Sequence, residues 1–236
     1  MRQCVTKPSI RSTLKAVFCC VVLCLALSYQ AVAQQTRQTD SQIWTETWLL
    51  FPRYGSNVNY GYINLTRIGR ERGTLVDERN GGFLGYTFDP TFAFTATWVD
   101  LDRSPSIGVK EEQQRLLLDG TGRVKQNDWL TYTYRMRFER QYRSGRIDRW
   151  ELRPRLGIEL PNFFKDESWT PFVNFEGFYD DSMSDWYRLR TLVGVNYRWS
   201  PQLNMDLYLG NQANRFQGQT DLSIIGFTFR IELPDL

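Results

Sequence analysis

Arginine and glutamate recur at alternate positions in two neighbouring stretches of this chain. In the first, Thr131, Thr133, Arg135, Arg137 and Glu139 share one parity, against Leu130, Tyr132, Tyr134, Met136 and Phe138 on the other. In the second, Arg149, Glu151, Arg153, Arg155 and Glu159 alternate with Trp150, Leu152, Leu156, Ile158 and Leu160. The polar parity extends to Arg115 and Asp119 upstream and to Asn174, Glu176, Arg188, Arg190, Asn196, Asn204 and Asp206 downstream. Three kinds of chemistry are open to such a set. Guanidinium groups facing water favour anions. Facing carboxylates, they form pairs that tie strands together. A carboxylate pair such as Glu139 and Glu151 could act as acid and base, but both are better explained as arginine partners. The candidate surface is therefore Arg115, Arg135, Arg137, Glu139, Arg149, Glu151, Arg153, Arg155, Glu176, Arg188 and Arg190, expected to line a lumen. No catalytic, cofactor-binding or metal-binding residue is assigned, and no cofactor is expected.

The residues that are missing narrow the chemistry further. The chain has no histidine, and its four cysteines, Cys4, Cys19, Cys20 and Cys24, all fall before residue 34. Zinc sites of the usual ligand types and histidine-activated nucleophiles or waters are thereby excluded. That removes the usual chemistry of membrane phospholipases, lipid deacylases and omptin-like proteases. A lipid-modifying enzyme is the least supported alternative, and the protein is expected not to be an enzyme. Gly81-Gly82 has no lysine or helix behind it, so it reads as a turn and not a phosphate loop. Asp180, Asp181 and Asp185 read as a solvated acidic loop in preference to a calcium site.

Positioning these residues requires strands, because period two sends successive side chains to opposite faces. Candidate strands cover residues 42–51, 57–68, 79–88, 91–101, 111–123, 128–141, 148–160, 169–179, 185–199, 202–212 and 221–233. Most are as long as the roughly 9–11 residues that a tilted membrane strand requires. Residues 73–78 are read as part of a further short strand, which favours an even count of 12; a merger near the start would give 10. An even count places both termini on the periplasmic side. Tight turns at 89–90, 125–127 and 200–201 alternate with longer polar connections at 103–110, 142–147, 180–184 and 213–220, although 162–168 breaks the alternation. Trp129, Trp169 and Trp199 fall near one set of strand ends and Trp98, Trp150 and Trp186 near the other, as two interfacial girdles would. Trp44 and Trp48 fit neither girdle.

The polar face decides between a soluble and a membrane barrel. The apolar parity is bulky over many strands, as in Leu203, Met205, Leu207 and Leu209, and a small barrel could not enclose all of it. The charged parity runs over strand centres, where a lumen with water and countercharges permits it. A mean hydropathy of −0.45 is compatible with strands that show only alternate residues to lipid. The beginning of the chain agrees. Arg2, Lys7, Arg11 and Lys15 precede an apolar run from Ala16 to Ser28 and the small-residue site Ala31-Val-Ala33, which reads as a secretory signal at 1–33 cleaved after Ala33. Removing it takes the 29 basic residues to 25 against 26 acidic, so the basic excess disappears and with it the main support for a nucleic-acid partner. Of the 25, Lys110, Lys125 and Lys165 are the lysines and the rest are arginine, the residue suited to carboxylate pairing in confined geometry.

The run Glu112–Arg123, the alternating Arg135, Arg137 and Glu139, the Arg149–Arg155 segment, Asn174-Phe-Glu176 and Tyr187-Arg-Leu-Arg190 resemble bacterial outer-membrane β-barrels of unknown function, the domain of unknown function 2490. The resemblance spans roughly residues 44–233. It implies a barrel of the Gram-negative outer membrane and supplies no activity. The architecture is also similar to small oligogalacturonate- and sialate-specific porins, although no motif ties the chain to them. Near the C-terminus, Gly226, Phe229 and Ile231 fit the spacing of a barrel insertion signal, but the terminal aromatic is absent.

The expectation is thus an all-β chain: a signal at 1–33 and one transmembrane antiparallel up-and-down barrel at 34–236. Two functions stay open. One is a plugged structural barrel. The other is a small solute channel with an Arg-rich lumen, including an anion-preferring, porin-like pore for small acidic solutes. The partners expected are outer-membrane lipid and the barrel-assembly machinery, with small anionic solutes in the pore reading and no nucleic acid.

Overall fold

The computed structural model describes residues 39–51, 57–69, 73–106, 109–145, 147–164, 166, 168–215 and 220–234. The signal segment and its cleavage site lie outside the described residues. Eleven strands form the fold: β1 (Thr39–Leu50), β2 (Val58–Gly69), β3 (Thr74–Asp89), β4 (Phe92–Ser106), β5 (Val109–Asn127), β6 (Leu130–Arg143), β7 (Arg149–Glu159), β8 (Trp169–Asp180), β9 (Asp185–Arg198), β10 (Leu203–Asn214) and β11 (Asp221–Glu232). Each pairs with its sequence neighbours, and β1 pairs with β11 to close a barrel.

The all-β barrel expected from the alternation is the fold found. Its strands number eleven because residues 74–78 open β3 and do not form a strand of their own. Gly81-Gly82, expected to turn, lies inside β3 facing Val99 and Trp98 of β4. An odd count makes the closing pair parallel, in unbroken register from Thr39↔Asp221 to Leu50↔Glu232. The start of β1 and the end of β11 therefore lie at opposite ends of the barrel, where an even count would have put them at one. The end where β1 starts is called the first end, and the other the second.

Connection lengths also differ from the expected alternation. The second end carries the tight turns at 90–91 and 128–129, but also the longer connections 51–57 and 160–168. At the first end, most of the loop expected at 103–110 is strand, because β4 and β5 continue pairing as far as Ser106↔Val109. Strand length is uneven: β5 has 19 residues and β7 has 11. The outer face of the long side turns polar toward the first end, with Asp100, Asp102, Glu112 and Gln114 exposed there.

Most of the remaining outer face is apolar, apart from groups such as Asn64, Asn80 and Glu78 on β2 and β3. Leu84, Tyr86, Phe92, Phe94, Tyr132, Tyr134, Phe138, Leu156, Phe175, Leu189, Leu207 and Leu209 are all exposed. Trp169 and Trp199 stand exposed at the second end, and Trp150 and Trp186 at the first. Trp98 lies further along β4 but its ring is 5.5 Å from that of Tyr142, near the same rim as Trp150. Trp44 and Trp48 face inward. Trp44 joins Phe172, Tyr208 and Ile224 in one buried cluster. Trp48 packs against a second, made of Ile63, Val99 and Leu117.

Candidate functional site

Register creates an electrostatic conflict at the centre of the sheet. β6 and β7 place Arg135 opposite Arg155, Arg137 opposite Arg153 and Glu139 opposite Glu151. Like charges directly across a ladder repel. The side chains resolve this by pairing diagonally or past a strand. Arg137 gives two N–H groups to Asp119 of β5, both at 2.7 Å. Arg153 turns one arm to Glu139 at 2.5 Å and the other to Glu176 of β8 at 3.1 Å. Arg135 reaches over β7 to Glu176 at 2.5 Å. Glu139, which is 0% exposed, also accepts from Arg115 at 2.5 Å and from the Gln141 amide at 3.1 Å. Glu176, 3% exposed, takes Arg190 of β9 at 3.1 Å as its third guanidinium. One connected set of ion pairs thus joins β5 through β9. Buried charge is tolerated in this form, with each carboxylate saturated by donors.

Toward the first end the set continues. Glu151 accepts from Tyr187 at 2.7 Å and Gln141 at 2.9 Å, and pairs with Arg149 at 3.2 Å. Arg149 also pairs with Asp180, which is fully buried at the end of β8. Asp180 is thus a structural partner here and not a solvated loop acid. Arg188 donates to Asn214 at 2.7 Å. On the other wall, Asp77 holds Arg79 through two contacts of 2.9 Å and Arg67 at 3.3 Å.

Aromatic rings connect these two walls. The Arg67 guanidinium lies 4.0 Å from the Trp44 ring, and Arg190 lies 4.7 Å from the same ring. Arg190 is also 4.7 Å from the ring of Phe178, which Arg153 approaches at 4.5 Å. Guanidinium and ring therefore alternate from β2 through β1, β9 and β8 to β7. Each contact of this kind contributes about 0.5–2 kcal/mol, with the larger values where water is absent. β2 and β7 are opposite in the strand order, yet Arg67 and Arg153 are within electrostatic reach of each other. So are Glu46 of β1 and Arg155 of β7.

The structure brings all eleven sequence candidates to one face of the sheet. Ten of them join the polar set through hydrogen bonds or ion pairs. Arg155 is the exception: among the described residues its guanidinium makes no hydrogen bond and has no carboxylate within ion-pair distance. Sequence reasoning missed Arg67, Asp77 and Arg79, because the early strands alternate less cleanly. It also missed the inward aromatics Trp44, Phe172, Phe178, Tyr187 and Tyr208. Parity was the available signal for most of them: Trp44 shares it with Gln42 and Glu46, and Tyr208 with Asp206 and Gln212. Tyr187 breaks parity with Arg188, yet is also buried, because β8 and β9 shift register between Phe178 and Tyr179.

The ring of Tyr208 occupies the space above Gly226, where any Cβ would overlap it. Gly226→Ala is expected to displace this ring from the Trp44 cluster and lower stability by about 1–3 kcal/mol, as overpacking does. Urea unfolding of refolded protein, followed by tryptophan fluorescence, measures the loss.

The arrangement contains arginines, carboxylates, amides and tyrosines, each occupied chiefly with its neighbours, and no nucleophile paired with a base. No curated protein matches this chain. A family model does, over residues 32–222. The chain belongs to the family described as Protein of unknown function (DUF2490).

Proposed function

We propose that the protein is a closed structural barrel of the bacterial outer membrane, reached through a cleaved signal at 1–33, with no covalent chemistry of its own. The observation that carries the closed reading is the chain of contacts Arg67–Trp44–Arg190–Phe178–Arg153, in which Trp44 of β1 reaches past β11 and β10 to Arg190 of β9 and fills the interior on that side. A conducting pore would need water where these groups meet. The outer face supports the membrane assignment. An exposed belt of Leu, Phe and Tyr is unlike the surface of soluble monomers, which rarely show large contiguous apolar patches. Trp150, Trp186, Trp169 and Trp199 near the two ends suit interfacial anchors. The partners in this reading are outer-membrane lipid and the machinery that inserts barrels.

Planar-bilayer recording tests the closed state. Refolded protein is expected to insert without steady single-channel current at moderate voltage. Reproducible current steps with anion preference would replace this reading with the porin-like one, in which small acidic solutes pass the arginines.

A further inference from the structure

We propose that Arg155, flanked by Arg135 and Arg137, holds a small oxyanion of the phosphate, sulfate or carboxylate class in the half of the barrel interior that opens at the second end. A guanidinium carries five N–H donors and no acceptor, and such a charge inside a protein is costly when it has no partner. The Arg155 guanidinium makes no ion pair or hydrogen bond among the described residues, although its ladder neighbours are Arg135 on β6 and Glu176 on β8.

Two of the three carboxylates that face it already hold other guanidinium groups. Glu176, Asp119 and Glu46 all act on Arg155 electrostatically. Glu176 already receives Arg135, Arg153 and Arg190. Asp119 receives both arms of Arg137 and lies 3.9 Å from Arg135. Glu46 accepts the indole N–H of Trp48. Nor are the donors exhausted: Nε of Arg135 is buried and has no hydrogen-bond acceptor. Positive charge and free donors thus coincide at one place on β6 and β7.

Access distinguishes this place from the rest of the interior. At the first end, Glu139 and Asp180 are completely covered. Toward the second end, the side chains of Glu159, Arg230 and Arg123 are 27%, 44% and 59% exposed. Arg155 itself is half-buried. Solvent thus reaches charged side chains of this interior face at the second end, the end toward which Arg155 lies. Arginine suits an oxyanion because its planar fork makes two parallel hydrogen bonds to one anion.

The test uses refolded full-length barrel and inorganic phosphate as the probe, with chloride at equal ionic strength as the reference. Unfolding temperature is read from the heat-dependent change in electrophoretic mobility. A ligand that binds the folded state raises it in a concentration-dependent way. The expected result is a saturable, phosphate-specific rise in the wild type that Arg155→Gln abolishes. Equal unfolding temperatures in phosphate and chloride overturn the proposal, and so does an undiminished rise in Arg155→Gln. If Arg155→Gln does not fold, Arg155→Lys is read in its place: it keeps the charge but loses the fork, and an undiminished rise there also overturns it.

Discussion

Glu176→Ala is expected to destabilise the barrel by about 3–5 kcal/mol, the range seen when one partner of a buried ion pair is removed. The cost does not come from lost attraction alone. Arg135, Arg153 and Arg190 all converge on this carboxylate, and its removal leaves three guanidinium groups competing for acceptors. Arg153 retains Glu139 and Arg190 retains Gln212, but Arg135 is left with Asp119 alone, at 3.9 Å. Glu176→Gln keeps the shape and one acceptor, and should fall between wild type and alanine. Urea titration in detergent micelles gives the three values. The measurement also bears on function. In a water-filled lumen the same pairs would be screened and worth about 0–1 kcal/mol, so a loss that small would show that water solvates the arginines and that the interior is not closed.

The second large effect is expected at Trp44. The indole is 4% exposed and packs with Phe172, Tyr208 and Ile224. Truncating a buried tryptophan to alanine costs about 3–5 kcal/mol through lost burial and the cavity left behind. Here the ring also separates two like charges, Arg67 at 4.0 Å and Arg190 at 4.7 Å. Trp44→Ala removes an attractive surface from both guanidinium groups at once. Trp44→Phe keeps a smaller ring and should recover part of the stability. Denaturant midpoints for the two variants measure the difference. Equal losses would show that a smaller ring at this position gives the two arginines nothing that alanine does not.

Much of this architecture could be read from alternation. Arg135, Arg137 and Glu139 on β6, and Arg149 to Arg155 on β7, reveal their face because every second residue is charged and its neighbours are aromatic or aliphatic. The interior is less legible where it is apolar. Trp44, Phe172 and Phe178 look like lipid-facing residues by type, and only their parity with Gln42, Asn174 and Glu176 indicates otherwise. Strand number was hidden for a different reason. Residues 74–78 carry turn-like and charged residues, and nothing local shows that the strand runs on through Gly81-Gly82. Pairing is also beyond the reach of pattern. That Arg135 would pass over β7 to Glu176, while Arg155, set directly opposite Glu176, makes no ion pair with it, depends on side-chain direction as well as on register, and register is set by the whole sheet.

The parallel seam between β1 and β11 has a topological consequence. A barrel with an even number of strands returns its chain to the side it came from, so it is a loop through the membrane. This one does not: Thr39 and Glu232 lie at opposite rims, and in the membrane reading proposed above those rims face different compartments. In that reading, a segment joined at one rim is separated by the bilayer from a segment joined at the other.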